Sequence, residues 1–199
     1  MGIRSLKTAS IANGVKRSKF WDQAADLETT AYNSIASYTV TAASTSSITF
    51  NSIPQKYKHL VVRMTLKVTG TSLATIWYQM NGNNNSDYYY YQMYANGSSR
   101  SSGGSPGVGG DTAYVPCASQ ANSFGGAIML LPDYTNSTSI KSQQTFSGFA
   151  AGSGANFVLL RGGAYYGTGS TNPITSLTFT PNTGSIAQYS TIALYGIKG

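Results

Sequence analysis

Few residues of this 199-residue sequence are of the types that carry out catalysis. His59 is the sole histidine, so a metal site with several histidine ligands cannot form. It stands at the start of a predicted strand, where a polar residue is usually hydrogen-bonded to its surroundings. We therefore expect His59 to support the fold and to have no catalytic role.

Carboxylates are equally scarce, with six Asp and Glu in the whole chain. Beyond residue 30 they are Asp87, Asp111 and Asp133, each beside turn residues. Asp in a turn normally accepts hydrogen bonds from backbone amides, although two that met could bind a cation or act as a glycosidase pair. Their spacing does not support acid–base catalysis, so we predict a protein that is not an enzyme and has no cofactor or metal.

Two further sequence features are weak indicators of chemistry. Residues 103–107, GGSPG, match the G-x-S-x-G pattern of hydrolases, which requires a preceding strand and a following helix. Here the match lies within a Gly- and Ser-rich segment, residues 97–110, that we expect to be an exposed loop. Cys117 is the single cysteine, which excludes an internal disulfide and is typical of a small buried side chain.

Aromatic residues provide the first candidate binding site. Alternation along a strand places Tyr88, Tyr90 and Gln92 on one face, and Tyr89, Tyr91 and Met93 on the other. We favour packing in the core or at a subunit interface. The alternative is a saccharide platform in which aromatic rings stack on sugars beside the amides of residues 81–85. Its candidate contacts are Trp77, Tyr78, Tyr88, Tyr90 and Tyr94.

Charge divides the chain near residue 30. The net charge is +7, yet only 10% of residues are charged, and eight of the 19 charges precede residue 29. We therefore predict a basic anchoring arm at residues 1–30, which could contain one short helix, and a nearly neutral domain at 31–199. The candidate anchoring residues are Arg4, Lys7, Lys16, Arg17, Lys19, Phe20 and Trp21. Because the cations are not concentrated on one face of the domain, we rank nucleic acid below protein as a partner.

Short alternating stretches indicate an all-β domain. Leu60, Val62, Met64, Leu66 and Val68 occupy every second position, which is the pattern of a half-buried strand. About nine similar but shorter stretches follow one another from residue 35, separated by turn residues such as Asn81-Gly82 and Gly162-Gly163. The sequence therefore predicts an antiparallel β-sandwich, jelly-roll-like in arrangement. It has no apolar run long enough for a membrane span or a signal peptide.

Three segments of the chain have a distinctive sequence, namely SIASYTVTAASTSSITFNSIPQKYKHLVVRM (34–64), GGAIMLLPDYTNSTSIKSQQTFSG (125–148) and ITSLTFTPNTGSIAQYSTIALYGIKG (174–199). These segments resemble a family of virion structural proteins of tailed phages. The leading segment GIRSLKTASIANGVKRSKFWDQ is similar to the basic segments that precede such domains. The resemblance covers most of the body of the chain, and its more specific parts are the SIP string and the terminal LYGIK.

That resemblance implies a location in the virion and a structural role. Jelly-roll domains of this kind serve in phages as capsid decoration (cement) proteins or as tail-fibre domains, and both are typically trimeric. The resemblance therefore implies a homotrimer that binds the major capsid protein or another virion protein, assembled in the bacterial cytoplasm. The alternative is a tail-fibre or baseplate adhesin that binds a host glycan.

Overall fold

The computed structural model describes residues 32–97, 99–107, 109–117, 123–150 and 156–199. Within these ranges the chain forms β-strands and no helix. The strands are β1 (Asn33–Thr39), β2 (Ser44–Thr45), β3 (Ile48–Phe50), β4 (His59–Leu66), β5 (Ala74–Met80), β6 (Tyr88–Asn96), β7 (Ser99–Gly107), β8 (Gly110–Val115), β9 (Gly125–Leu131), β10 (Ser142–Ala150), β11 (Asn156–Tyr165), β12 (Leu177–Pro181), β13 (Ile186–Ala187) and β14 (Thr191–Ile197). The arm predicted at 1–30 lies outside the described residues.

Two antiparallel sheets of unequal size pack against each other. The large sheet has eight strands in the order β1-β14-β4-β9-β10-β11-β6-β7, and the small sheet has four in the order β3-β12-β5-β8. β2 and β13 form a separate two-stranded ribbon. The predicted antiparallel β-sandwich is confirmed. Because the sandwich has two layers, the small sheet covers only one face of the large sheet.

The core lies between the sheets and follows the predicted alternation. Leu60, Val62, Met64 and Leu66 of β4 are buried, whereas Arg63 and Thr65 between them are exposed. These apolar side chains belong to one buried cluster with residues of the small sheet, including Phe179 of β12. The face of the large sheet that meets this cluster is called the inner face below, and the opposite one is the outer face.

The segment expected to be an exposed loop at 97–110 is instead mostly a strand. Its side chains are exposed as predicted, but Ser99–Gly107 pair with β6 along their whole length. Backbone hydrogen bonds to the free edge of β6 make this strand, so it needs no buried side chains. The hairpin is reached through Gly97, whose φ of 57° suits glycine.

Two other strand assignments differ from the sequence prediction. β8 was not predicted, and the turn expected at Gly162-Gly163 lies within β11. At Gly163 a Cβ atom would come within 2.7 Å of the Tyr89 carbonyl oxygen and 3.1 Å of the Gln143 side chain. This glycine therefore admits close neighbours within a continuous strand, where the sequence alone suggested a turn.

Candidate interaction surfaces

The outer face of the large sheet exposes a broad apolar patch, which we call the apolar face. It spans the strands β9, β10, β11 and β6, and its side chains are roughly half exposed or more, from 46% for Tyr89 to 79% for Tyr91. The exposed members are Tyr89, Tyr91, Met93, Ile128, Phe146, Val158, Leu160 and Tyr166. Single exposed apolar residues are ordinary, but a contiguous patch marks an interaction site.

Strand register arranges this patch as a ridge beside a groove. Ile128, Phe146, Leu160 and Met93 are successive cross-strand partners and form the ridge. The groove lies two residues further along each strand. It is formed by a second row of successive cross-strand partners, Gly126, Gly148, Val158 and Ala95. The groove is an open depression with a volume of about 800 Å³, and both glycines line it. A Cβ atom built on Gly126 would meet nothing within 4 Å, so this part of the groove is empty.

Cations border the apolar face. Arg63 lies opposite Ile128 at the β4 end of the ridge, and its guanidinium stacks over the rings of Tyr32 and Tyr195, 5.0 and 5.5 Å from their centroids. Arg100 lies opposite Ala95 on β7 and is exposed. Of the described acidic residues, none lies in the strands that form the apolar face. The patch is therefore apolar in its centre and positive at its two ends.

Two continuous apolar runs in the sequence are a signal for this face. Residues 157–160 are Phe, Val, Leu and Leu in succession, and residues 127–131 are apolar throughout. A short continuous apolar run is typical of a strand covered on both faces, whereas an alternating one is typical of a strand covered on one face. Only the inner-facing members of these runs are buried in the described structure.

The inner face holds a second cluster, in which an arginine is buried. The Arg161 side chain on β11 has no exposed surface, and its Nη1 lies 3.6 Å from Oδ2 of Asp111 on β8. Nε donates a hydrogen bond to Oε1 of Gln92 at 3.2 Å, and Nη2 donates to the same oxygen. The guanidinium also stacks on the rings of Tyr90 at 4.5 Å and Tyr114 at 5.3 Å.

Burial sets the electrostatics of this cluster. Desolvation lowers the pKa of Arg161, and Asp111 and the neighbouring tyrosines only partly offset this effect. Desolvation likewise raises the pKa of Asp111, against the opposing effects of Arg161 and of hydrogen bonds from the Trp77 and Tyr90 side chains. Both charges are therefore held at a cost to the folded state.

Two of the predicted platform residues are in the core, and the glycan-contact role given to them was wrong. Tyr78 and Tyr88 are each 1% exposed, and their rings meet edge to face at 5.5 Å. The Tyr88 hydroxyl accepts a hydrogen bond from the Met80 amide and donates one to the Asn83 carbonyl. Burial raises the pKa of Tyr88 to about 12. These rings hold the turn after β5 in place, as the packing interpretation expected.

The other three platform residues lie around the Arg161 cluster. Trp77 and Tyr90 are half-buried and contact Asp111, whose side chain is 16% exposed. Tyr94 is half-buried and stacks on Phe157 with 5.4 Å between ring centroids. The structure thus brings Trp77 and Tyr90 to one carboxylate. The sequence indicates Asp111 only as a turn carboxylate and does not indicate Arg161, because the residues that surround the two are distant in the chain.

The remaining residues singled out from the sequence are those of the anchoring arm, His59 and Cys117. The anchoring residues Arg4, Lys7, Lys16, Arg17, Lys19, Phe20 and Trp21 lie outside the described residues. His59 is structural, as predicted, since its Nδ1 accepts a hydrogen bond from the Asp133 amide at 3.0 Å. Cys117 is buried, also as predicted.

The described residues contain neither a metal-binding cluster nor a membrane-spanning helix. Among them, no group of three or more His, Cys, Asp or Glu side chains is placed to hold a metal ion. In the same part of the chain, no helix is both long and apolar enough to cross a membrane.

Comparisons with known proteins identify no family. No protein-family model matches the chain, and no curated protein matches it. Among solved structures, the galectin LEC-6 of Caenorhabditis elegans is similar to it with 7% sequence identity and a TM-score of 0.30, covering 82% of this chain and 96% of that one. Similarity at this level supports no inference about this chain, so the sandwich assignment rests on the strand pairing above.

Proposed function

We propose that this protein is a non-enzymatic structural protein of a tailed-phage virion, which decorates the capsid as a symmetric oligomer and binds the major capsid protein. The observation that carries the structural role is the apolar face, with its eight exposed large side chains on one side of the sandwich. The phage setting rests on the sequence resemblance described above.

The character of this surface supports assembly by protein packing. Burying apolar side chains contributes about 25 cal/mol for each Å² removed from water. Arg63 and Arg100 are exposed and lie at the margins of the patch, so a neighbour can cover its centre without removing a charge from water. The predicted basic arm at 1–30 would add a second contact, in which Phe20 and Trp21 act as apolar anchors.

Purified particles of the phage that encodes this chain provide the test. We expect many copies per head, counted by quantitative mass spectrometry, and a position on the capsid by cryo-electron microscopy. Removal of residues 1–30 should abolish capsid occupancy while the thermal unfolding of the remaining domain is retained. Absence of the chain from particles, or unchanged occupancy without residues 1–30, would contradict the proposal or its anchoring part.

One observation favours the alternative, a fibre adhesin for a host glycan. Trp77 and Tyr90 flank the partly exposed Asp111 carboxylate, and aromatic rings beside a carboxylate are suited to sugar binding. Under this alternative, Trp77→Ala and Tyr90→Ala should each reduce adsorption of particles to host cells. Tyr189→Ala is the control, because Tyr189 is 70% exposed and lies at the β13–β14 connection. Unchanged adsorption in both test variants would remove this alternative.

A further inference from the structure

The geometry points to a second copy of this chain as the occupant of the apolar face, packed face to face about a two-fold axis. This inference rests on the proposed function for the role of the face as an assembly surface. It goes further by naming the partner and the symmetry.

The apolar face is self-complementary, because it carries both a ridge and a groove. A two-fold contact requires that one patch carry both a projection and the recess that receives it. The ridge of Ile128, Phe146, Leu160 and Met93 lies directly beside the groove centred on Gly126 and Gly148. A half-turn about an axis in the interface, running along the boundary between them, places each ridge in the groove of the other copy. The two sheets would then pack about 10 Å apart, as sheets do in sandwiches.

The exposed area of the apolar face is similar to the area that a dimer interface buries. A buried aromatic side chain covers about 150–250 Å². Eight side chains that are roughly half exposed, several of them aliphatic and smaller, therefore present about 600–800 Å² of apolar surface. A standard stable interface buries about 800 Å² on each partner. The apolar face by itself is thus close to the area of a standard interface.

Two continuous apolar runs in the sequence also favour a covered outer face. The apolar runs at 127–131 and 157–160 are typical of strands covered on both faces, and the small sheet covers only their inner side. A second copy supplies the missing layer. Arg63 does not oppose this arrangement, because it lies at the margin of the face, where its exposed guanidinium rests on the rings of Tyr32 and Tyr195 of its own copy and can stay in water.

The experiment measures the mass of the full chain in solution by sedimentation equilibrium and by light scattering after gel filtration. We expect twice the chain mass of 21.0 kDa, with a dissociation constant in the micromolar range or tighter. A monomer at 100 µM would overturn the inference. So would a trimer, because a three-fold ring does not use a self-complementary patch.

Matched glycine variants test which face makes the contact. Gly126→Val fills the groove, and its Cβ meets nothing within 4 Å in the single chain, so the fold should be retained. Gly103→Val is the control, since its Cβ also meets nothing and it lies opposite Gln92, on the inner side of β7. We expect Gly126→Val to weaken dimerisation at least 30-fold and Gly103→Val to leave it unchanged. Equal dimerisation of both variants would overturn the inference.

A third variant removes the ridge. Phe146→Ser should weaken the dimer at least 30-fold, whereas Tyr38→Ser, at a similarly exposed aromatic side chain on β1, should not. The outcome is separable from that of the proposed function. A dimer that is absent from virions would leave the inference standing without the function, and a monomer found on capsids would leave the function without the inference.

Discussion

Replacing Arg161 by Met together with Asp111 by Asn removes the ion pair buried between the two sheets, and we expect the double variant to be more stable than the wild type. The Arg161 side chain has no exposed surface and that of Asp111 is 16% exposed. Burial lowers the pKa of Arg161 and raises that of Asp111. Both directions mean that the attraction between the two charges does not repay their desolvation.

The magnitude follows from the distance and the burial. At the observed 3.6 Å, the attraction is about 4.6 kcal/mol for an effective dielectric constant near 20. Desolvation costs several kcal/mol for each ion, and Nη1 of Arg161 makes no hydrogen bond. Replacing such pairs with uncharged residues often stabilises a protein by about 1–4 kcal/mol. Loss of the ring contacts to Tyr90 and Tyr114 subtracts about 0.5–2 kcal/mol, which leaves a gain of about 0.5–2 kcal/mol.

Thermal unfolding at pH 7, followed by circular dichroism, measures this gain. For a domain of this size each kcal/mol shifts Tm by about 2–4 °C, so the double variant should melt about 1–8 °C higher. The control is Lys58→Met with Asp133→Asn, which removes an exposed ion pair and should leave Tm nearly unchanged. A Tm several degrees below that of the wild type in the Arg161 and Asp111 variant would refute the reasoning, because the pair would then be net stabilising.

Three further outcomes are expected. The hydrogen bond from Lys58 lowers the pKa of Asp133, so its contribution to stability is present above the ordinary Asp pKa and is lost as pH falls; Asp133→Asn should flatten the acid limb of a plot of Tm against pH. The pH dependence of stability has the opposite sign for Asp111, because burial raises its pKa in the folded state. Its contribution to stability is therefore complete below the ordinary Asp pKa and is lost as pH rises through the folded pKa. Asp111→Asn should remove that decline from the plot of Tm against pH. Gly110→Ala should destabilise the fold by about 1–3 kcal/mol in urea titrations, because its Cβ would lie 2.0 Å from the Tyr78 ring.

Local patterns in the sequence predicted much of the fold. The alternation from Leu60 to Leu66 predicted β4 and its buried face, because side chains of a strand point to opposite sides in turn. The same rule separated buried Tyr88 from exposed Tyr89 and Tyr91 on β6. These features depend only on neighbours within one strand, so one sequence is sufficient to predict them.

The failures have a common physical cause. β7 is a strand because β6 offers an unpaired edge, although its own Gly and Ser residues favour irregular structure. Gly163 lies inside β11 because Tyr89 and Gln143 approach it from the neighbouring strands. In both cases residues far away in the sequence decide the local conformation.

The sequence by itself determined the class of the domain, since period-two alternation and turn residues favour an antiparallel sandwich over every helical alternative. Only the tertiary structure decided which side chains form a surface. Strand register aligns Ile128, Phe146, Leu160 and Met93 into one ridge, although they are distant in the chain. It also brings Asp111 to Arg161, which no spacing indicated. The reason is that hydrogen-bonding between strands sets the register, and packing of two sheets in two layers sets which faces meet and which are left exposed.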